Sequence, residues 1–355
     1  MKKNLVYMLA VTQDYIFAAG NIVLSLIKQR PQKDFDIAIF YDEMLDSDKK
    51  IFQDTGICHL YQYRCPKKFE SIIRRDCPKF NDENFAKHFS FLKFAKFEIF
   101  NLLEKYHHAV WLDADIAIQA DPSEIVNYEP FAITSDAPWT LQNNFTQPIP
   151  GYNMDVQGVC SAVFVISDKM KDWQKMRKWC YDTAAKVCPY FKNIDQGIFN
   201  LLLQEFDIDY QLLPLYEYQC MPYRDTAHMA KIVHFGPQKT WTNTMSVSAF
   251  PEWYRIHLEW MARGGSDFTR PEGYIVSNVY KKLMDKDREI REAKARADNF
   301  EKTVQVLTSM PKEPKQKSFR IKLFGVTIFK KRMLENKTKY YLLGIRFLTT
   351  KVTEA

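Results

Sequence analysis

The sequence predicts an α/β domain with a mostly parallel sheet, then a helical stalk and a basic tail. Three observations carry this. Strand-like and helix-like segments alternate from the start of the chain. The apolar runs are rich in β-branched residues and nearly unbroken, as expected of strands buried on both faces. Beyond residue 276 the pattern changes to a charged stretch without Pro or Gly and then to a basic one.

In order, Leu5–Val11 is the first strand and Ile16–Ile27 the first helix, closed by Pro31. Lys2, Lys3 and the apolar run mimic a secretion signal, but Gln13 and Asp14 cut the run short. Phe35–Tyr41 is the second strand, Asp46–Asp54 a helix and His59–Arg64 a third strand. Phe85–Lys105 has a long helical pattern, with Lys93 and Lys96 expected on a solvated face. It leads into Val110–Asp121, VWLDADIAIQAD, expected as a strand. Asp121-Pro122-Ser123-Glu124 opens a short helix with Asp121 or Ser123 as cap. Phe131–Asp136 and Val159–Ser167 are further strands, with an irregular Ala137–Gln157 between them. Lys171–Lys186 and Asn193–Leu203 are helical, and a short β run ends at His234.

Composition narrows the function classes. The 355 residues are 46% hydrophobic and 15% aromatic, which is globular. Seven Cys without a C-x-x-C pair suggest neither a disulfide framework nor a zinc site, so reduced thiols in a cytosolic protein are expected. No uncharged apolar stretch is long enough to span a bilayer. The net charge of +7 is local: residues 311–355 hold twelve Lys/Arg and three Glu, while the rest of the chain is nearly neutral. Within this tail Arg320–Phe329 repeats as Lys339–Leu348, Gly325 over Gly344, which predicts two small hairpins or strand pairs. A basic aromatic segment suits an anionic membrane surface; no nucleic-acid recognition motif accompanies it. Residues 277–307 show a weak heptad through Leu283, Ile290, Ala297 and Val304, expected as a stalk or a short coiled coil that would join copies of the chain.

The candidate chemistry centres on Asp113-Ala114-Asp115. Two carboxylates interrupting an apolar run need compensation, and a hard divalent cation supplies it. Residues two apart in an extended segment point the same way, so both acids can reach one ion. An exposed turn or a cap is the bland alternative. His234 offers an imidazole suited to manganese-like metals. Gly236 allows a close backbone approach to a phosphate, and Lys239 supplies a charge beside it. Asp195 and Gln196 open an apolar helix, where Asp195 could serve only as a cap. Gln13, Asp14 and Tyr15 follow the first strand, at the sheet edge where ligands bind in such folds.

Together VWLDADIAI, NIDQGIFN and HFGPQKTW, in this order, resemble glycosyltransferase family 8, the retaining UDP-hexose transferases that include bacterial lipopolysaccharide galactosyl- and glucosyltransferases. The resemblance spans Leu5 to Trp241 and implies a GT-A type single Rossmann-like domain with a mixed, mostly parallel sheet. It implies that Asp113, Asp115 and His234 hold manganese, with magnesium as the substitute. It assigns Gly236 and Lys239 to the diphosphate, Ala10, Gln13, Asp14 and Tyr15 to uracil and ribose, and Ala114 to the donor-binding residues. Lys96 falls where the family usually has Arg, and Asp136, Asp195 and Gln196 fall around the donor sugar. Cys160-Ser161-Ala162 departs from the family's Asn-Ser-Gly, so the Asn contact to the sugar is not carried over and donor identity stays open.

The expected reaction is transfer of galactose or glucose from a UDP-sugar to a glycan hydroxyl with retention, Asp195 or Gln196 lying near the anomeric centre. The expected domains are 1–275 (catalytic), 276–310 (helical linker) and 311–355 (membrane attachment). The expected place is the inner face of a bacterial cytoplasmic membrane, in lipopolysaccharide synthesis. The competing readings are a non-catalytic, membrane-tethered sugar-nucleotide binder of the same fold and an inverting transferase.

Overall fold

The computed structural model describes residues 2–77, 80, 90–236, 250–268, 286, 288–298, 300, 303, 318–323, 326–334 and 337–351. The chain divides into two compact units, Met1–Val279 and Tyr280–Ala355.

In the first unit β1 (Lys3–Val11), α1 (Ile16–Gln29), β2 (Asp36–Tyr41), α2 (Asp46–Asp54), β3 (Cys58–Gln62) and α3 (Lys67–Asp76) follow one another. A 3₁₀ run Phe91–Glu98 and one α turn, α4 (Ile99–Leu102), lead into β4 (Tyr106–Leu112). The short β5 (Ile116–Ile118), the long β6 (Phe131–Thr140) and β7 (Gln157–Ser167) come next. Then come α5 (Trp173–Val187), α6 (Ile194–Glu205), β8 (Gln211–Leu213), α7 (Leu215–Tyr218), β9 (Ile232–His234) and α8 (Pro251–Ala262). The main sheet has the order β3-β2-β1-β4-β7-β6-β8. It is parallel except where β7 pairs with β4 and β6.

Alternating side chains send each strand's apolar residues to two cores. Val6 and Met8 of β1 with Ala109 and Trp111 of β4 pack on one face, under the 3₁₀ run, α5 and α6. Tyr7 and Leu9 with Val110 and Leu112 pack on the other, under α1 and α8. On that second face a Cβ at Gly20 would lie 2.3 Å from the Trp260 ring, so glycine is what lets α1 approach α8.

Three expectations need correction. The long helix over 85–105 is not formed across its described part. Phe91, Phe94 and Phe97 recur every three residues, and a 3₁₀ helix stacks such positions on one face. Phe94 and Phe97 are thereby wholly buried, their ring centres 5.8 Å apart. Residues 81–89 lie outside the described residues. Val110–Asp121 is not one strand: β4 stays in the main sheet while β5 pairs with β9, and Asp113 to Asp115 form the bend between them. The segment 137–157 is less irregular than its composition suggests. β6 continues to Thr140, and a 3₁₀ turn Leu141–Asn144 follows, held by reciprocal Thr140 and Asn143 hydrogen bonds.

In the second unit, residues 286, 288–298, 300 and 303 are helical. Beyond them β10 (Ser318–Leu323), β11 (Val326–Leu334), β12 (Lys337–Leu342) and β13 (Ile345–Lys351) form one antiparallel meander. The two expected hairpins are thus joined edge to edge by the β11–β12 pairing. All seven cysteines are free. No helix among the described residues is long and apolar enough to cross a membrane.

Candidate active site

The bend after β4 is anchored by main chain on both sides. Asp113 N donates to Ala162 O of β7 at 2.9 Å. Past the bend, β5 pairs antiparallel with β9, Ile116 facing His234. Phe235 N donates to Asp115 O at 2.9 Å, which ties the end of β9 to the second acid. The outcome is a three-sided cluster. Ligand atoms of Asp113, Asp115 and His234 all lie within 4.8 Å of one another, and His234 Nε2 is 3.3 Å from Asp115 Oδ1. Two carboxylate oxygens and one imidazole nitrogen, half-buried, are a donor set for a hard or borderline divalent ion. Ligand atoms around one such ion stand roughly 3–4 Å apart, so the cluster fits manganese or magnesium and leaves other coordination positions to a substrate.

Beside it lies a buried ion pair. Lys96 is 3% exposed, not on a solvated face. Its ammonium donates to Asp195 Oδ2 at 2.5 Å, Ser161 O at 2.9 Å and Asp113 Oδ1 at 3.4 Å. It also sits 4.7 Å from the Trp111 ring centre, and Trp111 Nε1 donates to Asp113 Oδ1 at 2.7 Å. Burial alone would lower the Lys96 ammonium, but Asp113 and Asp195 reverse the sign and hold it above the ordinary lysine value. Burial alone would raise the Asp195 carboxyl, but Lys96, with Lys93 adding, brings it down to about 2. Asp195 is therefore not the cap of its helix, a position Asn193 holds: it sits in the first turn of α6 as a buried anion.

One turn of side chain away, Gln196 Nε2 donates to Asp136 Oδ2 at 2.9 Å and to Asn144 Oδ1 at 3.2 Å. Burial raises the Asp136 carboxyl above its ordinary value, and the Gln196 hydrogen bond opposes this. α6 is registered on β7 by Asn200, which accepts from Val159 N (2.9 Å) and donates to Val159 O (2.8 Å). Cys160 is almost enclosed, and burial pushes its thiol up to about 11. Gln219 donates to its Sγ at 3.0 Å, while Thr134 donates to Gln219 Oε1.

Of the expected site residues, the fold brings Asp113, Ala114, Asp115 and His234 together, with Lys96 and Asp195 adjoining them and Gln196 paired to Asp136. Ala10 is the last residue but one of β1, and Gln13, Asp14 and Tyr15 form a 3₁₀ turn just beyond the strand, where Gln13 N donates to Asp42 Oδ1 at 3.0 Å. Gly236 follows β9 with φ +51, a conformation that favours glycine. Lys239 and Trp241 lie outside the described residues. Sequence reasoning missed Asn144, Ser161, Asn200 and Gln219. Asn200 carried a signal, standing one helical turn after Gln196 on the same face.

Residues 6–245 match the profile described as Glycosyl transferase family 8, more than half of the chain. Among solved structures the fold is similar to the galactosyltransferase LgtC in complex with donor and acceptor sugar analogues. That likeness has 12% identity and a TM-score of 0.53, covering 73% of this chain and 99% of that one. It is also similar to the apo WbbM bifunctional glycosyltransferase, at 15% identity and a TM-score of 0.50. The match covers 74% of this chain but only 52% of WbbM, so the chain spans about half that protein's length. No curated protein sequence matches it. With a mixed sheet of GT-A type and a profile match from the first strand to beyond His234, the chain belongs to glycosyl transferase family 8.

Proposed function

We propose that the protein transfers a hexose, galactose or glucose, from a UDP-sugar to a glycan hydroxyl with retention of configuration. The observation that carries this is the convergence of Asp113, Asp115 and His234 beside the Lys96–Asp195 pair. Asp113, Asp115 and His234 would hold a divalent ion such as manganese or magnesium, which would supply positive charge beside the diphosphate when bound. Gly236 admits the diphosphate close to main chain, and Lys239 adds a cation there. Ala10, Gln13, Asp14 and Tyr15 bind uracil and ribose at the end of β1. Lys96 fixes the Asp113 and Asp195 carboxylates, so they need not reorganise as charge develops. Asp136 and Asn144 orient the Gln196 amide toward the anomeric centre.

An Asp195 carboxylate neutralised by Lys96 is a poor nucleophile, which favours departure and attack on one face over a covalent glycosyl intermediate. A glycosyl-Asp195 adduct caught by mass spectrometry would overturn that step, and product stereochemistry separates retention from inversion. The acceptor is a lipopolysaccharide or another surface glycan. The basic tail places the enzyme on the inner face of a bacterial cytoplasmic membrane, and the helix around Ile290 and Phe300, both exposed, joins copies of the chain.

The test is UDP release from a panel of UDP-hexoses, with manganese and with a chelator. Manganese-dependent release from one donor establishes the class and the sugar together. No release, with bacterial glycan acceptors present, favours a membrane-tethered sugar-nucleotide binder instead. Cys160 favours that second reading, since it presents a buried thiol where the family presents an amide.

A further inference from the structure

Charge alone explains attraction of the tail to an anionic surface but not where its apolar residues go. In the meander Leu323, Val326, Leu342 and Ile345 stand at one end of the sheet, and Leu334 and Lys337 at the other. Leu323 pairs with Val326, and Leu342 with Ile345. The shared end therefore presents aliphatic side chains, with Val326 59%, Leu343 65% and Ile345 73% exposed. The nineteen-residue repeat sets this, because LFGV at 323–326 aligns with LLGI at 342–345. The opposite connection reads LENK, which is mostly polar.

The second turn is unusual in its chemistry. Leu343 has φ 48 and Gly344 φ 82, the two positive values of a type I′ hairpin turn. Its first position ordinarily holds Asn, Asp or Gly, and a bulky side chain there is an outlier. This leucine is both in a disfavoured backbone region and largely in water, so neither turn preference nor burial in its own sheet accounts for it. Close behind the apolar end runs a cationic row. Arg320, Lys330, Tyr341 and Arg346 stand opposite one another across all four strands. Residues 318–351 hold nine Lys/Arg and one Glu, so this row is not neutralised from within the sheet.

The geometry points to a membrane-inserting end. The Leu343-Gly344 turn, with Val326 and Ile345 beside it, enters the acyl boundary of an anionic bilayer while the row behind it meets lipid phosphates. This rests on the tail being the membrane anchor and names the part that inserts. Among the described residues this end exposes aliphatic side chains, Val326, Leu343 and Ile345, which suit acyl chains better than the stacking of bases.

The test uses the full chain and two vesicle types, phosphatidylcholine alone and phosphatidylcholine mixed with an equal part of phosphatidylglycerol. Leu343→Asn restores the preferred Asn-Gly turn, so the variant keeps or raises the thermal stability of the tail. It should bind mixed vesicles about tenfold more weakly. Ile345→Thr, with a β-branched residue still in the strand, should weaken binding in the same direction. Wild-type binding that neither substitution changes overturns the insertion while leaving the tail as an electrostatic anchor. Failure of the wild type to bind mixed vesicles overturns both. Unchanged vesicle binding with loss of a dimer in sedimentation would assign the tips to a second copy, and tighter binding to DNA than to vesicles would assign the cationic row to nucleic acid; either overturns the proposal.

Discussion

Lys96 lies between two carboxylates and is 3% exposed. Lys330, Lys339 and Arg346 of the tail face a tyrosine, a threonine or another base across the strands, in a sheet with almost no acid. The same charge serves two ends. In the first unit a cation is desolvated at a cost and repaid by two anions, which fixes carboxylate positions around a site. In the four-stranded sheet of the second unit nine bases accompany one acid, at a cost in sheet stability, which favours neutralisation from outside. One arrangement sets local geometry, and the other sets affinity for a surface.

Substitutions can break this contrast, the largest effect coming from Lys96. Lys96→Met leaves Asp195 buried without its partner and should cost about 3–5 kcal/mol in urea unfolding. Lys96→Arg keeps the charge and should retain most of that stability; equal losses in both variants would show that shape, not charge, is what the site requires. Next comes Asp115→Ala, expected to lower manganese-dependent UDP release about a hundredfold with little change in melting. Near-normal turnover would remove Asp115 from the site.

Asp36 gives the mirror image, an acid among donors. It accepts from Tyr106 and Lys3, each at 2.7 Å, and from His59 at 3.1 Å. Burial alone would raise its carboxyl, but these hydrogen bonds outweigh burial and hold it below the ordinary carboxylate value. A lowered folded value means stabilisation that is full above the unfolded value, near pH 4, and lost as pH falls further. Asp36→Asn should therefore cost about 2 kcal/mol at pH 7, and the gap from wild type should narrow below about pH 4. A gap independent of pH would mean that the loss is one of packing. The smallest effect belongs to a single tail cation. Arg346→Ala should weaken binding to anionic vesicles by about 1 kcal/mol, near fivefold, at low salt. The difference should fade in high salt, where screening is strong; persistence there would deny the electrostatic role.

Much of the fold was legible. The runs at Leu5–Val11, Phe35–Tyr41 and Val159–Ser167 became β1, β2 and β7 because β-branched runs flanked by turn residues have few other options. The Asp-x-Asp and His234 were legible because acids inside apolar runs are costly. The nineteen-residue repeat revealed two hairpins, but their joining into one sheet depends on the β11–β12 pairing, which no local pattern encodes. Lys96 looked like a surface lysine because its two carboxylates lie seventeen and ninety-nine residues away. The 3₁₀ run resembled an α-helix because Phe at every third position suits either period over a short span. Asn144, Ser161 and Gln219 act through partners brought near by tertiary structure alone.

The stretch Val159–Ala162 works as a ruler for the neighbouring elements. Val159 meets Asn200 through both its backbone N and O, Ser161 O receives Lys96, and Ala162 O receives Asp113 N. Every one of these fixed points is a main-chain atom, which any amino acid possesses. The side chains add to this: Cys160 Sγ accepts from Gln219 at 3.0 Å, and Ala162 is buried. Exchange of the Cys160 side chain therefore costs its Gln219 hydrogen bond while the main-chain anchors of Asn200, Lys96 and Asp113 stay in place.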